Sequence, residues 1–266
     1  MLFRCILLGL LALETDVLLA QMPDPEGGAT RSAWYMYFGD HPMSTNWGVH
    51  LEGQYRRQGI GGRWEQLLLR PGIDRELTHG FSGMLAYTYL RDYPFEGGSL
   101  GEPTATGPQP EHRVLEQLTF KHKLGNGGGN PKKAIELSHR FRAEQRFIGT
   151  STAHVGTTAW EYGERARYRL TADIPFRWNT AGARPDYTSV YNELFVNFGP
   201  HGGTNALDQD RTYGAIGWNL SPDFQFEVGY LYQYQPLPNG VVNTQNHALQ
   251  VTINASAPLR RVLHRH

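Results

Sequence analysis

From Trp47 onward the chain alternates polar and apolar residues with a period of two, segment after segment. The run at 135–147 shows it best. Glu136, Ser138, Arg140, Arg142, Glu144 and Arg146 make one set, and Ile135, Leu137, His139, Phe141, Ala143, Gln145 and Phe147 the other. Successive side chains of a strand point to opposite faces, whereas a helix would scatter these charges around its circumference. The polar set is almost wholly Arg and Glu, and Arg165, Arg167 and Arg169 repeat it further on. A soluble sandwich mixes Lys, Thr and Ser on its wet side. A face of Arg and Glu suits a closed lumen, with the apolar set turned to lipid, and predicts a transmembrane β-barrel.

The same alternation predicts further strands. Residues 47–57 set Trp47, Val49, Leu51 and Tyr55 against His50, Glu52, Gln54 and Arg56. Residues 64–74 put Leu67, Leu69 and Ile73 outward and Gln66 and Arg70 inward, with Pro71 expected near a strand end or bulge because it lacks an N–H. Residues 81–90 are rich in aromatics, and 91–110 read as a long Pro/Gly-rich loop. Residues 111–124 put Glu111, Arg113, Gln117 and Thr119 inward; Glu116 falls on the outward face, a misfit tolerable only near a membrane interface. After a Gly-rich turn at 125–133 and the strand at 135–147 comes a Thr-rich loop at 149–159. Strands follow at 162–174, 187–198 with Glu193 inward, 209–220 with Arg211 inward, 224–235 with Glu227 inward, and 245–257. This gives ten strands from Trp47. The aromatic segment 34–38 is either an eleventh strand needing a twelfth partner or a lead-in, so the expected total is ten or twelve. Short linkers after Asp74 and at Ser221, against the long loop after Arg91, predict that the chain ends on the periplasmic side.

The ends read differently. Residues 1–21 carry Arg4, then an apolar run from Cys5 to Leu13, and read as a signal peptide with cleavage after Ala20. Residues 22–46 are a leader that includes the 34–38 segment, 47–257 the barrel, and 258–266 a basic tail. Cys5 is the one cysteine of the 266 residues, so a barrel without the signal segment has no thiol for a metal or a nucleophile. Net charge is zero, which gives no sign of a nucleic-acid partner. The expected partners are outer-membrane lipids and a small anionic solute, the expected state a monomer in a Gram-negative outer membrane.

The inward residues Glu52, Arg56, Arg70, Glu111, Arg113, Glu136, Arg140, Arg142, Glu144, Arg146, Arg165, Arg167, Arg169, Glu193, Arg211 and Glu227 are expected to form a lumenal charge network. Isolated charges in so narrow a space would cost several kcal/mol each, and guanidinium forks match carboxylates in pairs. The network is therefore either a scaffold that plugs the barrel and fixes register, or, through its excess Arg, an anion path. Catalytic chemistry finds little support: Ser138 and His139 are neighbours that a strand sends to opposite faces. No metal-binding spacing and no cofactor motif occurs. A barrel-embedded enzyme such as a lipid hydrolase, or a soluble lipocalin-like binder, are the alternatives.

Several short runs, in this order, carry a resemblance: Leu51-Glu-Gly-Gln-Tyr-Arg56, Leu68-Leu-Arg-Pro-Gly72, Glu111-His-Arg113 with Gln117, His139-Arg-Phe-Arg-Ala-Glu-Gln-Arg146, Arg165-Ala-Arg-Tyr-Arg169, Tyr191-Asn-Glu193 and Asp208-Gln-Asp-Arg211. Together they resemble the domain of unknown function 2490 family, over about Trp34 to Ile253. The resemblance implies a bacterial outer-membrane barrel and carries no activity and no catalytic residue. One departure concerns the end of the chain: many such barrels finish on an aromatic residue, whereas here Ala255-Ser-Ala-Pro-Leu259 and a basic tail follow the last strand.

Overall fold

A computed structural model describes residues 29–93, 107–125, 134–152, 156–176, 184–199, 206–236 and 243–256. The expected signal segment, most of the Gly-rich turn and the basic tail lie outside them. The described chain is built from strands: β1 (Ala29–Pro42), β2 (Trp47–Gln58), β3 (Trp64–Glu76), β4 (Phe81–Asp92), β5 (Gln109–Leu124), β6 (Ile135–Thr152), β7 (Gly156–Pro175), β8 (Tyr187–Phe198), β9 (Leu207–Ser221), β10 (Phe224–Pro236) and β11 (Asn243–Ala255). Each pairs antiparallel with its sequence neighbour, and β1 meets β11 to close the barrel.

The closure corrects the expected even number. The 34–38 segment belongs to β1, which pairs antiparallel with β2 and parallel with β11, so the described barrel has eleven strands. A hairpin forces antiparallel pairing, but β1 and β11 are joined by no short connection, so either direction is open to them. What closure achieves is the removal of two exposed edges. Along β1, Trp34, Met36 and Phe38 face the interior while Tyr35 and Tyr37 face out.

Other boundaries also shift. The Thr-rich segment expected as a loop is mostly strand: β6 runs to Thr152 and β7 starts at Gly156. β-Branched threonines favour extended backbone over a loop. Pro71 sits mid-strand, opposite Leu51. The β3–β4 ladder skips there, from Leu69↔Tyr89 to Gly72↔Ala86, without a change of register. The β3–β4 connection is a tight turn in which His79 and Gly80 both have positive φ, 55° and 82°. Two such residues match the twist of the flanking strands, and a Cβ on Gly80 would lie 2.4 Å from the Lys121 carbonyl oxygen.

Connection length does not sort the two mouths as cleanly as expected. The short links 43–46, 77–80 and 222–223 share a mouth with Ala255, but so do the strand ends that the longer links 125–134 and 176–186 join. Asp92 and Gln109, the strand ends that the long 93–108 link joins, lie at the opposite mouth with Ala29.

The outer surface is an apolar belt between two aromatic girdles. Leu69, Ile73, Leu85, Phe141 and Tyr230 are each at least half exposed on it. At the Ala29 mouth, His112 packs among Tyr87, Tyr89 and Trp160, and the Tyr87 hydroxyl and His112 Nδ1 are 2.5 Å apart. At the other mouth Phe120, His122, His139 and Tyr168 make a stacked series. His112 and His122 lie on one strand, ten residues apart. At the rise of a tilted strand this separates the girdles by roughly 25 Å, the height of a bilayer-facing band. Glu116 lies between them, flanked by Leu85 and Ala143, so it sits in mid-belt and not at an interface.

Candidate functional site: the lumen

All of the inward set except the fully buried Glu144 lines one cavity of about 2040 Å³ that reaches residues near both mouths, from Tyr93 and Gln109 to Ala134 and Asp223. Its walls are unlike. From β5 to β8 the wall is charged. From β9 through β10 and β11 to β1 it carries an apolar cluster of Trp34, Met36, Tyr213, Ala215, Leu231 and Ala248.

The charged wall is organised around carboxylates that each take several guanidinium donors. Glu144 is fully buried: Arg165 donates from Nε (3.0 Å) and Nη2 (2.6 Å) to one oxygen, Arg167 Nη1 (2.7 Å) to the other. Arg167 also donates from Nε (3.0 Å) and Nη2 (2.7 Å) to Glu193 Oε1, which receives Arg140 Nη2 at 2.6 Å as well. Glu111 receives Arg113 and Arg146, each through two donors. Register explains the convergence. Glu144 is directly opposite Arg165 across β6 and β7, and Glu193 opposite Arg169 across β7 and β8. Opposed charges on one sheet face lie within side-chain reach. In the lower dielectric of a buried site these charge-assisted bonds are strong.

A second centre lies on β2 and β3. Glu52 receives Arg70 Nη1 and Gln54 Nε2, and His50 Nε2 stands 3.5 Å away. His50 is tied on its other nitrogen to Asp40 at 2.6 Å, and Arg70 donates also to Thr88 at 2.8 Å.

The remaining candidates stand apart from these pairs. Arg142 donates to the neutral Gln117 carbonyl oxygen at 3.0 and 2.6 Å, and Glu144 Oε1 is 3.8 Å from its Nη1. Arg56 donates to Gln54 at 2.6 Å and lies 3.7 Å over the Trp34 ring. Arg211 donates to Gln233 (3.0 Å) and Gln209 (2.9 Å) and covers Phe195 at 4.6 Å. Arg169 lies 4.8 Å over Tyr191. Glu227 receives the hydroxyls of Tyr187 (2.9 Å) and Tyr213 (3.2 Å) and the Asn254 amide (3.1 Å) in place of an arginine. Glu136 faces Lys123 and Asp173 across the sheet, nearer the Ala255 mouth.

Sequence reasoning missed several partners. Asp208 accepts from Arg165 at 2.6 Å, yet it precedes the alternating part of its strand and gave no facing signal. Tyr187 reaches Glu227 by lying across Gly217, where a Cβ would sit 2.3 Å from its ring. A glycine opposite an aromatic is the signal that marks such a crossing. Ser138 lines the cavity, while His139 on the outer face bonds the Tyr168 hydroxyl at 2.9 Å. The strand thus separates them as expected. Among the described residues no group of His, Cys, Asp and Glu is placed to hold a metal ion.

A protein family of unknown function, DUF2490, matches residues 31–245. The chain belongs to the DUF2490 family. The match covers every strand of the barrel at least in part, so the charged wall and the closing β1 fall within the family's extent. No curated protein matches the chain. Among solved structures, one described as the NanC porin is similar, with a TM-score of 0.46 at 10% identity, covering 85% of this chain and 98% of that one.

Proposed function

We propose that this DUF2490 barrel spans a Gram-negative outer membrane as a monomer and passes small anionic solutes through its lumen, after export directed by residues 1–21. The apolar belt and its girdles support the membrane placement, because so much exposed apolar surface needs an apolar solvent. The observation that carries the path is the local concentration of guanidinium at the inward positions of β6 and β7, in a cavity reaching towards both mouths: Arg140, Arg142, Arg146, Arg165, Arg167 and Arg169 stand there against Glu136, Glu144 and Asp173, and Arg142 hydrogen-bonds an amide while Arg169 lies over a ring. A lumen lined by arginine favours anions over cations.

A structural role is the second reading. Glu144 and Glu193 tie β6, β7 and β8 together through buried forks, which would fix register whether or not anything passes. Swelling of liposomes containing the refolded full chain separates the two. The path predicts faster entry of succinate than of a diamine of similar size. Equal, negligible entry of both from correctly folded protein leaves only the structural role.

A further inference from the structure

Strands β6 and β7 place like charges directly opposite each other twice, Arg140 against Arg169 and Arg142 against Arg167. All point into the lumen. Opposed positions of a sheet face are about 5 Å apart and successive same-face positions about 7 Å. The arginines therefore mark the corners of a small quadrilateral on one wall. Such pairs destabilise a sheet unless something between them is negative.

The protein's own acids answer this only in part. Glu193 takes Arg140 and Arg167, and Glu144 takes Arg165 and Arg167. Glu52 is engaged by Arg70. This leaves Arg142 and Arg169, on one diagonal, without a carboxylate within hydrogen-bond distance. The donors record the same deficit. Arg142 Nη1, Arg140 Nε and Arg169 Nε are buried with no acceptor, and Arg142 as a whole is 4% exposed. Buried donors of this kind ordinarily have a partner. Arg142 is moreover fixed by Gln117, which orients its guanidinium while adding no charge. Arg169 lies over the Tyr191 ring.

We propose that the Arg140–Arg142–Arg169 corner is a binding site for a divalent oxyanion, of the phosphate or dicarboxylate kind. It deepens, and rests on, the reading of the lumen as an anion path, for which it would be the mid-barrel station. Two arginines without a hydrogen-bonded carboxylate match two negative charges, and the N–H groups without acceptors supply directional donors to several oxygens. A monovalent carboxylate would leave one arginine unanswered.

The test is calorimetric titration of the refolded full chain in detergent micelles with inorganic phosphate, succinate and acetate at constant ionic strength. Phosphate and succinate should bind saturably at one site per barrel, and acetate at least tenfold more weakly. Arg142→Gln and Arg169→Gln should each weaken phosphate at least tenfold, while Arg57→Gln, on the outer rim, should leave it unchanged. Arg169→Gln removes a like-charge neighbour of Arg140, so its fold should survive without phosphate. It carries the comparison if Arg142→Gln does not refold. Heats that follow ionic strength alone, or phosphate binding that persists in Arg169→Gln, would overturn the site. A barrel that conducts anions without saturable binding removes this site and keeps the path; one that binds phosphate without passing anions does the reverse.

Discussion

Glu144 and Glu227 are both buried glutamates facing the lumen, yet they are held by opposite kinds of chemistry. Glu144, on the β5–β8 wall, is enclosed by the guanidinium groups of Arg165 and Arg167. Glu227, on the β9–β1 wall, is held by two tyrosine hydroxyls and an amide. The first wall is electrostatically coupled: each ion depends on its neighbours, and removing one strands the rest. The second wall is packed, with Leu231 and Ala248 fully buried beside Trp34. It resembles a small protein core that happens to line a cavity. One barrel thus holds its interior together by two means, and only the charged one leaves a surplus for a solute.

That difference can be broken by substitution. Glu144→Gln should cost about 3–5 kcal/mol, because it takes from the buried Arg165 and Arg167 the one carboxylate they share; urea unfolding of the refolded barrel in lipid vesicles reads the loss. On the outer belt, Phe141→Arg should cost about 2–4 kcal/mol near the bilayer midplane. A neutral result by the same measurement would mean that the two faces are reversed. Glu227→Gln, the same chemical change as the first on the opposite wall, should cost no more than about 1 kcal/mol, since the amide oxygen still accepts from Tyr187 and Asn254 while the amide N–H donates to the Tyr213 hydroxyl oxygen. Equal losses at Glu144 and Glu227 would erase the distinction between the walls. Glu116→Leu should instead stabilise the barrel, by up to about 1 kcal/mol, by clearing a carboxylate from mid-belt.

The period-two pattern of 135–147 carried most of the architecture. It gave the strand and its faces, because burial on alternate sides leaves a direct trace in composition. It also gave the inward set as a group. It could not give the pairing. Arg142 and Arg165 look alike in the sequence, and only register places one beside Gln117 and the other beside Glu144. β1 was hard for a different reason. Its interior residues Trp34, Met36 and Phe38 are as apolar as its exterior Tyr35 and Tyr37, so the alternation that marks the other strands vanishes there. The parallel closure depends on long-range pairing, with Trp34 opposite Gln250, and leaves no local signature.

The most direct test of an anion path along the arginine-rich wall is the reversal potential of single channels. The refolded protein would be placed in a planar bilayer under a potassium chloride gradient. Discrete steps whose reversal potential lies toward that of chloride are the predicted result. Cation-selective steps, or no steps at all from protein shown to be folded, would contradict an anion path through this wall.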